Sequence, residues 1–474
     1  MRRDAYLVAA LHVVLALIYW IGADVTILWD PRPDPWGWFF QNIPSDLLHD
    51  SAVQSIWYSH AQPPLWNVLG AILIKVFGSY HMHALQAGNI VLGGAAAGLS
   101  ALIVGRTVGS RWWAIAVGLT VALHPALFLY EAYPLYTTLV AFLVLLAAYQ
   151  LTTRAQDASL PAIGFVAVMS ALILTRSVFH LVLLAGALPL ALLLMGWPSR
   201  RQMTILVLLT LLPASWYVKN RVQYGFLGAS SWYGMGLWRN ALFGQDAVML
   251  RQLSGEGAFS PVAGLPPFSL PSSYREMGFT ARSEVPVLAR DDHQNVNIPA
   301  ISEAYQQSAV ALIKRSPAQY FRNVLTAYGN FSGPSGEFEH IAVNRERLGL
   351  HAELEHWLLA RPLVARIERA LGGRYYGSLY FLIIPAVLLG YALQFKRRSA
   401  GLSTLHETIR EDAAPFLIAA LVTYTTVVSC TMELGENMRF KFMIEPALLV
   451  LAAVVLSRAT SRARSAEEPG AVPS

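Results

Sequence analysis

The stretch Leu65-Trp66-Asn67-Val68-Leu69-Gly70-Ala71-Ile72-Leu73-Ile74-Lys75-Val76-Phe77 decides how this chain threads a membrane. It is apolar, yet shorter than the roughly twenty residues a span needs. It also carries Lys75 and follows Pro63-Pro64. Ten longer apolar runs surround it, near 6–23, 85–105, 112–130, 134–152, 160–175, 178–197, 203–219, 377–395, 413–431 and 442–458. If 65–77 stays on one side and the N-terminus is cytoplasmic, the basic clusters collect inside: Arg2-Arg3, Arg106 with Arg111, Arg200-Arg201, Lys396-Arg397-Arg398, Arg410 and Arg458. If it crosses, the clusters at 106–111 and 200–201 move outside, against the positive-inside bias. The expectation is therefore ten spanning helices with both termini cytoplasmic. Segment 65–77 becomes an amphipathic helix in the external interface.

Composition agrees with a membrane class. Of the 474 residues, 55% are hydrophobic and 14% charged, against about 25% charged in a soluble domain. The net charge of +6 comes from 35 basic and 29 acidic residues. Because most of the basic residues flank apolar runs, the excess argues for topology and against nucleic acid as a partner. The single cysteine, Cys430, lies in an apolar run and reads as a small buried hydrophobe. The N-terminal Met1-Arg2-Arg3 with the run that follows resembles a signal peptide, but no A-x-A-like cleavage site follows, so a retained helix is expected.

The fold class expected is an all-α polytopic membrane protein. An N-terminal transmembrane module spans 1–219 and contains an external loop at 24–84. A mainly helical external region follows at 220–376, then C-terminal transmembrane helices at 377–458 and a cytoplasmic disordered tail at 459–474. Within 220–376, the Gly-, Pro- and Ser-rich part from Ser254 to Ser273 reads as loop, while Ser302 to Thr326 and Arg345 to Leu371 have helical patterning broken by Pro317 and Pro362. No repeat of fixed period is present, which weighs against inverted-repeat transporters.

The external loop gathers chemistry. Ser45, after Pro44, is a good N-cap for a helix reaching Tyr58. Asp46 and Asp50 are then i and i+4 on one face. Acids near a helix start often only complement its dipole; the functional reading makes one of them the base for an acceptor hydroxyl. Trp29, Trp36, Trp38, Trp57 and Trp66 suit either sugar stacking or interfacial anchoring. Glu131 ends the third apolar run, where an ionisable group is costly and commonly functional. His49, His60, His81, His83 and His124 show no helical metal-ligand spacing. Arg176, Arg439 and Lys441 sit on the side where cations are disfavoured, so each needs a partner. Either a lipid phosphate or a network with Glu433, Glu436 and Glu445 supplies one. Lys219 and Arg221, then Arg239, add basic groups where the external region begins.

Taken in order, several motifs resemble a known family. They are the acid-bearing loop closed by His60-Ala61-Gln62-Pro63-Pro64-Leu65-Trp66, the His124-Pro125 turn with Tyr130-Glu131 and Leu135-Tyr136-Thr137, Leu174-Thr175-Arg176, Trp216-Tyr217-Val218-Lys219-Asn220-Arg221, and Glu436-Asn437-Met438-Arg439-Phe440-Lys441-Phe442. The set resembles the bacterial branch of the GT-C integral-membrane glycosyltransferases, which includes protein O-mannosyltransferase-like enzymes and lipid A aminoarabinose transferases. The resemblance implies transfer of a sugar from a polyprenyl-phosphate donor to an envelope lipid, glycan or protein acceptor, with inversion, on the periplasmic face of the inner membrane. It implies Asp46 or Asp50 and Glu131 as catalytic acids. His60, Gln62, Arg176, Arg221, Arg439 and Lys441 fall to substrate binding. No cofactor is required, and a divalent cation is compatible with the acids. Many relatives carry an adjacent Asp-Glu pair early in the loop; this chain has none, so Asp30 and Asp34 also stay open. The rival readings are an O-antigen ligase or polymerase, and a lipid or glycan flippase.

Overall fold

The computed structural model describes residues 1–28, 34–152, 159–280, 296–370, 377–399 and 401–467. Among them the elements are all helical, with an isolated antiparallel bridge between Ala360 and Ser378. Trp29 and Asp30, named above, lie outside the described residues.

A helix occupies each of the ten apolar runs. In chain order these are α1 (Arg2–Gly22), then α2 (Ser45–Tyr58) and α3 (Leu65–Phe77) of the first loop, α4 (His81–Val108), α5 (Arg111–Ala122), α6 (Pro125–Glu131), α7 (Thr137–Gln150), α8 (Ser159–Thr175), α9 (Val182–Met195) and α10 (Arg200–Tyr224). The middle region holds α11 (Tyr233–Leu242), α12 (Ala247–Gly255), α13 (Pro271–Glu276), α14 (Ile298–Arg315), α15 (Pro317–Ser332), α16 (Ala342–Leu348), α17 (Leu350–Leu359) and α18 (Pro362–Ala370). The chain closes with α19 (Tyr380–Arg398), α20 (Leu402–Glu411), α21 (Ala413–Met432) and α22 (Asn437–Glu467). Five stretches among the described residues are long and apolar enough to cross a membrane alone: Arg2–Gly22, Leu65–Val108, Arg200–Tyr224, Ala413–Met432 and Asn437–Ser461. α5 and α6 make a sixth as a pair bent by 49°. α7, α8 and α9 are apolar but only 14, 17 and 14 residues long.

The decisive segment is helical, and it joins α4 through a single 3-10 turn, Gly78–Tyr80. No polar linker separates the two helices, and Gly78 at φ +53° turns the chain where a side chain would be strained. Trp66, Asn67, Gly70, Ala71 and Ile74 are buried. Val68, Ile72 and Val76, four apart, form an exposed apolar stripe. Such a face suits hydrocarbon better than water.

α4 is the hub of the bundle, packed on α1, α5, α7 and α22. Its glycines let helix backbones meet. A Cβ on Gly94 would lie 2.8 Å from Val13 and 3.0 Å from the Ala9 carbonyl, and one on Gly98 would lie 3.2 Å from the Ala5 carbonyl. Small residues at such contacts replace the hydrophobic drive that lipid removes. A second core, built on Trp238, Tyr274, Ile301, Tyr305 and Leu312, holds α11 against α14. Pro317 and Pro362 interrupt the two patterned stretches as expected, between α14 and α15 and between α17 and α18, and each begins the later helix, where proline is tolerated at the first position. α15 packs on α21 and α22, tying the middle region to the last helices. α22 runs to Glu467, past the end of its apolar run.

Candidate functional site

A cavity of about 1200 Å³ opens at the end of the bundle where α8 and α10 stop, α21 ends and α22 begins. Three walls make it. The first is the turn at 34–44. Asp34 accepts from the backbone N–H groups of Gly37 at 2.9 Å and Ser45 at 3.0 Å, and from the Ser45 hydroxyl at 2.7 Å. Ser45 therefore receives its cap from Asp34 and caps nothing itself; Pro44 holds the N-cap position. Trp36 is buried, stacks on Trp66 at 5.3 Å, and donates to the Ile43 carbonyl at 3.1 Å. With Trp36 driven inward, Trp38, Phe39, Phe40 and Gln41 face the cavity.

The second wall is the turn after α10. The His60 Nδ1 lies 2.9 Å from the Ser231 hydroxyl, and the Ser231 N–H donates to the His60 carbonyl at 3.0 Å. This clasp carries Gln62 and Trp232 to the cavity surface. The third wall is the segment between α21 and α22. Gly435, at φ +136°, bends it, and Asn437 ties it by donating to the Ser429 carbonyl at 3.2 Å and the Glu433 carbonyl at 3.1 Å. Glu433 and Glu436 both line the cavity as a result.

Charge is concentrated there. Arg239 pairs with Glu433 and Arg439 with Glu436. Arg176 donates to the Tyr136 hydroxyl, which itself donates to Gln41 at 2.8 Å. The Arg176 guanidinium lies 4.9 Å from the ring centres of both Tyr136 and Phe440. The lining residues thus bring two guanidinium groups, Arg176 and Arg239, with Arg439 buried at the edge, against the carboxylates of Glu303, Glu339, Glu433 and Glu436, and Arg176 is held by the neutral Tyr136 hydroxyl. Burial, then the neighbouring Arg439, pushes Arg176 down to about 9, so it stays charged at neutral pH. Burial raises Glu433, with the Arg239 guanidinium opposing. Burial also works against the Glu436 carboxylate, but Arg439, Arg239 and Arg176 outweigh it and hold Glu436 below the usual range. An anion with a developing charge would meet donors already fixed in place.

The residues singled out from sequence divide. Arg176 and Gln62 line the cavity, Arg439 is buried at its edge on Glu436, and His60 stands behind the wall. Arg221 turns away and donates to the Gly225 carbonyl. Lys441 lies in a separate buried network, 3.1 Å from Glu445 and 3.9 Å from Glu355, with its ammonium 3.8 Å from the Tyr380 ring centre. Glu131 is buried and meets His12 Nε2 at 2.5 Å, away from the cavity. Asp46 and Asp50 do not line the cavity either; Asp50 is 76% exposed beside His49. The chain also kinks at Ser51, which leaves the helical region. Sequence reasoning noted Arg239 only as a basic group at the start of the external region and did not single out His340; both line the cavity. The one usable signal was the spacing Glu433-x-x-Glu436-x-x-Arg439 ahead of the last apolar run.

His124, Glu355 and Glu445 bring one ligand atom each within 4.8 Å of one another, a donor set of the kind that binds a divalent ion. The Lys441 ammonium already sits between the two carboxylates and supplies the positive charge they require. This donor set does not fit a metal while Lys441 stays in place.

No family model matches the chain, and no curated protein matches it. Among solved structures it is similar to the Archaeoglobus fulgidus oligosaccharyltransferase in complex with Zn and sulfate, at 14% identity and TM-score 0.39, covering 96% of this chain and 49% of that one. It is similar to AglB from Archaeoglobus fulgidus in complex with an inhibitory peptide and a dolichol-phosphate, at 14% identity and TM-score 0.41, covering 99% and 52%. It is also similar to ArnT from Cupriavidus metallidurans bound to undecaprenyl phosphate, at 16% identity and TM-score 0.34, covering 98% and 81%. The chain spans about half the length of the oligosaccharyltransferase chains.

Proposed function

We propose that the chain is a membrane glycosyltransferase that moves a sugar from a polyprenyl-phosphate donor to an envelope lipid, glycan or protein acceptor, with inversion. The observation that carries this is the cavity at the bundle end, with aromatic walls and the Arg176 guanidinium held in its lining by the neutral Tyr136 hydroxyl. Aromatic faces suit the apolar faces of sugar rings, and guanidinium groups suit phosphate oxygens. The acceptor oxygen attacks the anomeric carbon as the bond to the phosphate oxygen breaks, and the phosphate leaves with the electron pair. Arg176 and Arg439 stabilise the charge that grows on it, which helps the transition state more than the ground state.

A carboxylate takes the acceptor proton. Glu433 lines the cavity, with its proton affinity raised by burial. Asp46 and Asp50 are the acids that the motif resemblance selects, and they require α2 to move before they reach the cavity. A divalent cation is not needed for this reaction, and chelator is expected to leave the rate unchanged.

The test is release of free polyprenyl phosphate by purified protein offered a panel of polyprenyl-phosphate sugars and envelope-lipid extract. Variants Asp46→Asn, Asp50→Asn, Glu131→Gln and Glu433→Gln run alongside. Release with one donor, abolished in a folded carboxylate variant, establishes the transfer and names the base. The buried ionisable pairs His12–Glu131 and Lys441–Glu445 favour a second reading, a flippase. Movement of labelled lipid across vesicles with no release from any donor would overturn the transferase in its favour.

A further inference from the structure

α17 and α18 lie against one end of the bundle and leave their outer side open. The start of α17 is clasped to the ends of two membrane helices. His351 accepts from the Tyr19 hydroxyl at 2.9 Å and donates to the Leu123 carbonyl at 2.8 Å, where α1 and α5 stop. Just before it, Arg347 donates to the Asp24 carbonyl at 2.7 Å. The end of α17 is tied to the start of α19. The Leu379 N–H donates to the Leu359 carbonyl at 2.9 Å, and the Arg361 N–H to the Gly377 carbonyl at 2.7 Å. The inner side is filled: Ala352 and Glu355 are buried on α17, and Val364 and Glu368 on α18.

The outer side is apolar and basic. Leu350, Leu354, Trp357 and Leu358 recur at i, i+4, i+7 and i+8, which puts them in one stripe. All four are exposed, Leu350 at 88% and Trp357 at 74%, so nothing in this chain covers them; Leu363 of α18 is exposed as well. The acids of the two helices stay off the stripe. Glu355 accepts from the Ser335 N–H at 2.8 Å, Glu368 from the Gly377 N–H at 2.7 Å, and Glu353, at the edge, pairs with Arg345 at 3.0 Å. Arg361, between the helices, and Arg366 of α18 are exposed. At its two ends the stripe meets helices with exposed apolar rows of their own, Val14, Ile18 and Ile21 on α1 and Leu382, Leu389 and Leu393 on α19. In a chain that spans a membrane such rows face hydrocarbon, and the stripe lies where they end. Tryptophan collects at that boundary, helices with an apolar face settle in it, and arginine there attracts anionic lipid.

We propose that α17 and α18 form a binding surface for anionic phospholipid, with the stripe dipped into the acyl chains and Arg361 and Arg366 against the lipid phosphates. None of these residues lines the large cavity, so the inference stands apart from the transferase reading. The test places bimane at Leu354→Cys or Trp357→Cys in full-length protein carrying Cys430→Ser. The protein is reconstituted in vesicles of phosphatidylcholine and phosphatidylglycerol in equal share, with brominated acyl chains on one lipid or on the other. Both labels are expected to be quenched by brominated chains and sheltered from aqueous iodide. Brominated phosphatidylglycerol is expected to quench more than brominated phosphatidylcholine. Arg361→Gln/Arg366→Gln is expected to weaken that preference about fivefold for each arginine lost. Should the double variant misfold, raised salt on the unsubstituted arginines replaces it, and the preference should fall as their charge is screened.

Quenching by iodide and not by brominated chains puts the stripe in water and overturns the proposal. Shelter from both quenchers overturns it in favour of a protein, or a second copy of this chain, seated on the stripe. Equal quenching by the two brominated lipids is also a contrary result, as is a preference that survives both the double variant and salt.

Discussion

Glu436 and Glu433 stand in one cavity wall and have opposite titration behaviour. Glu436, held low by Arg439, Arg239 and Arg176 against the cost of burial, contributes stability that is present above its unfolded value of about 4.3 and lost as pH falls through the lower folded value. Glu433, raised by burial, binds its proton more readily when folded, so it favours the fold as pH falls. Glu436→Gln is therefore expected to flatten the acid limb of thermal stability between pH 6 and 3, and Glu433→Gln to steepen it; shifts in the same direction would refute the assignment. Arg439→Lys loses the planar fork that meets both Glu436 and, at 3.5 Å, Tyr133. It is expected to slow polyprenyl-phosphate release by about a hundredfold, on the scale of losing one fixed donor to a developing anion. Arg176 and Arg439 were legible in the sequence because isolated cations among apolar runs stand out. The facing of Asp46 and Asp50 was not. Helical spacing puts them on one side of α2, but the Trp36–Trp66 stack and the Asp34 cap set the surroundings of that helix through contacts no local pattern encodes.

At the level of elements, α1, α4 and the α5–α6 break form one unit. His12 Nδ1 lies 2.7 Å from the Ala122 carbonyl, where α5 ends, and its Nε2 meets Glu131 at the end of α6. Gly93 of α4 leaves the room, since a Cβ there would fall 1.8 Å from the Glu131 carboxylate and 2.9 Å from His12. Gly93→Ala is expected to cost about 3 kcal/mol, within the range for breaking a buried pair. It should lower the melting temperature in detergent, while Gly88→Ala, whose Cβ would meet nothing within 4 Å, is expected to leave it unchanged. The helices themselves were readable from apolar periodicity and from Pro317 and Pro362, which begin helices here. The partnership of His12 with Glu131 was not, because 119 residues separate them.

For the molecule as a whole, two cavities mark opposite ends, one walled by aromatic side chains and the other rimmed by arginine. From the charge bias of the sequence we propose that the arginine end faces the cytoplasm. A membrane-impermeant maleimide is then expected to label Ser254→Cys in intact spheroplasts, and Arg397→Cys only after lysis. Native Cys430, 3% exposed, should stay silent in both. The reverse pattern would invert the topology.

The large cavity takes its walls from the turn at 38–41, from Arg176, from the turn at 228–233, from the start of α14 and from Glu433 to Phe440. A ribosome must therefore deliver nearly the whole polypeptide before the pocket can close. Any product truncated ahead of residue 433 would insert most of its helices and still lack the third wall. Such fragments should lodge in the bilayer, inert, as competitors for insertion and for quality-control proteases.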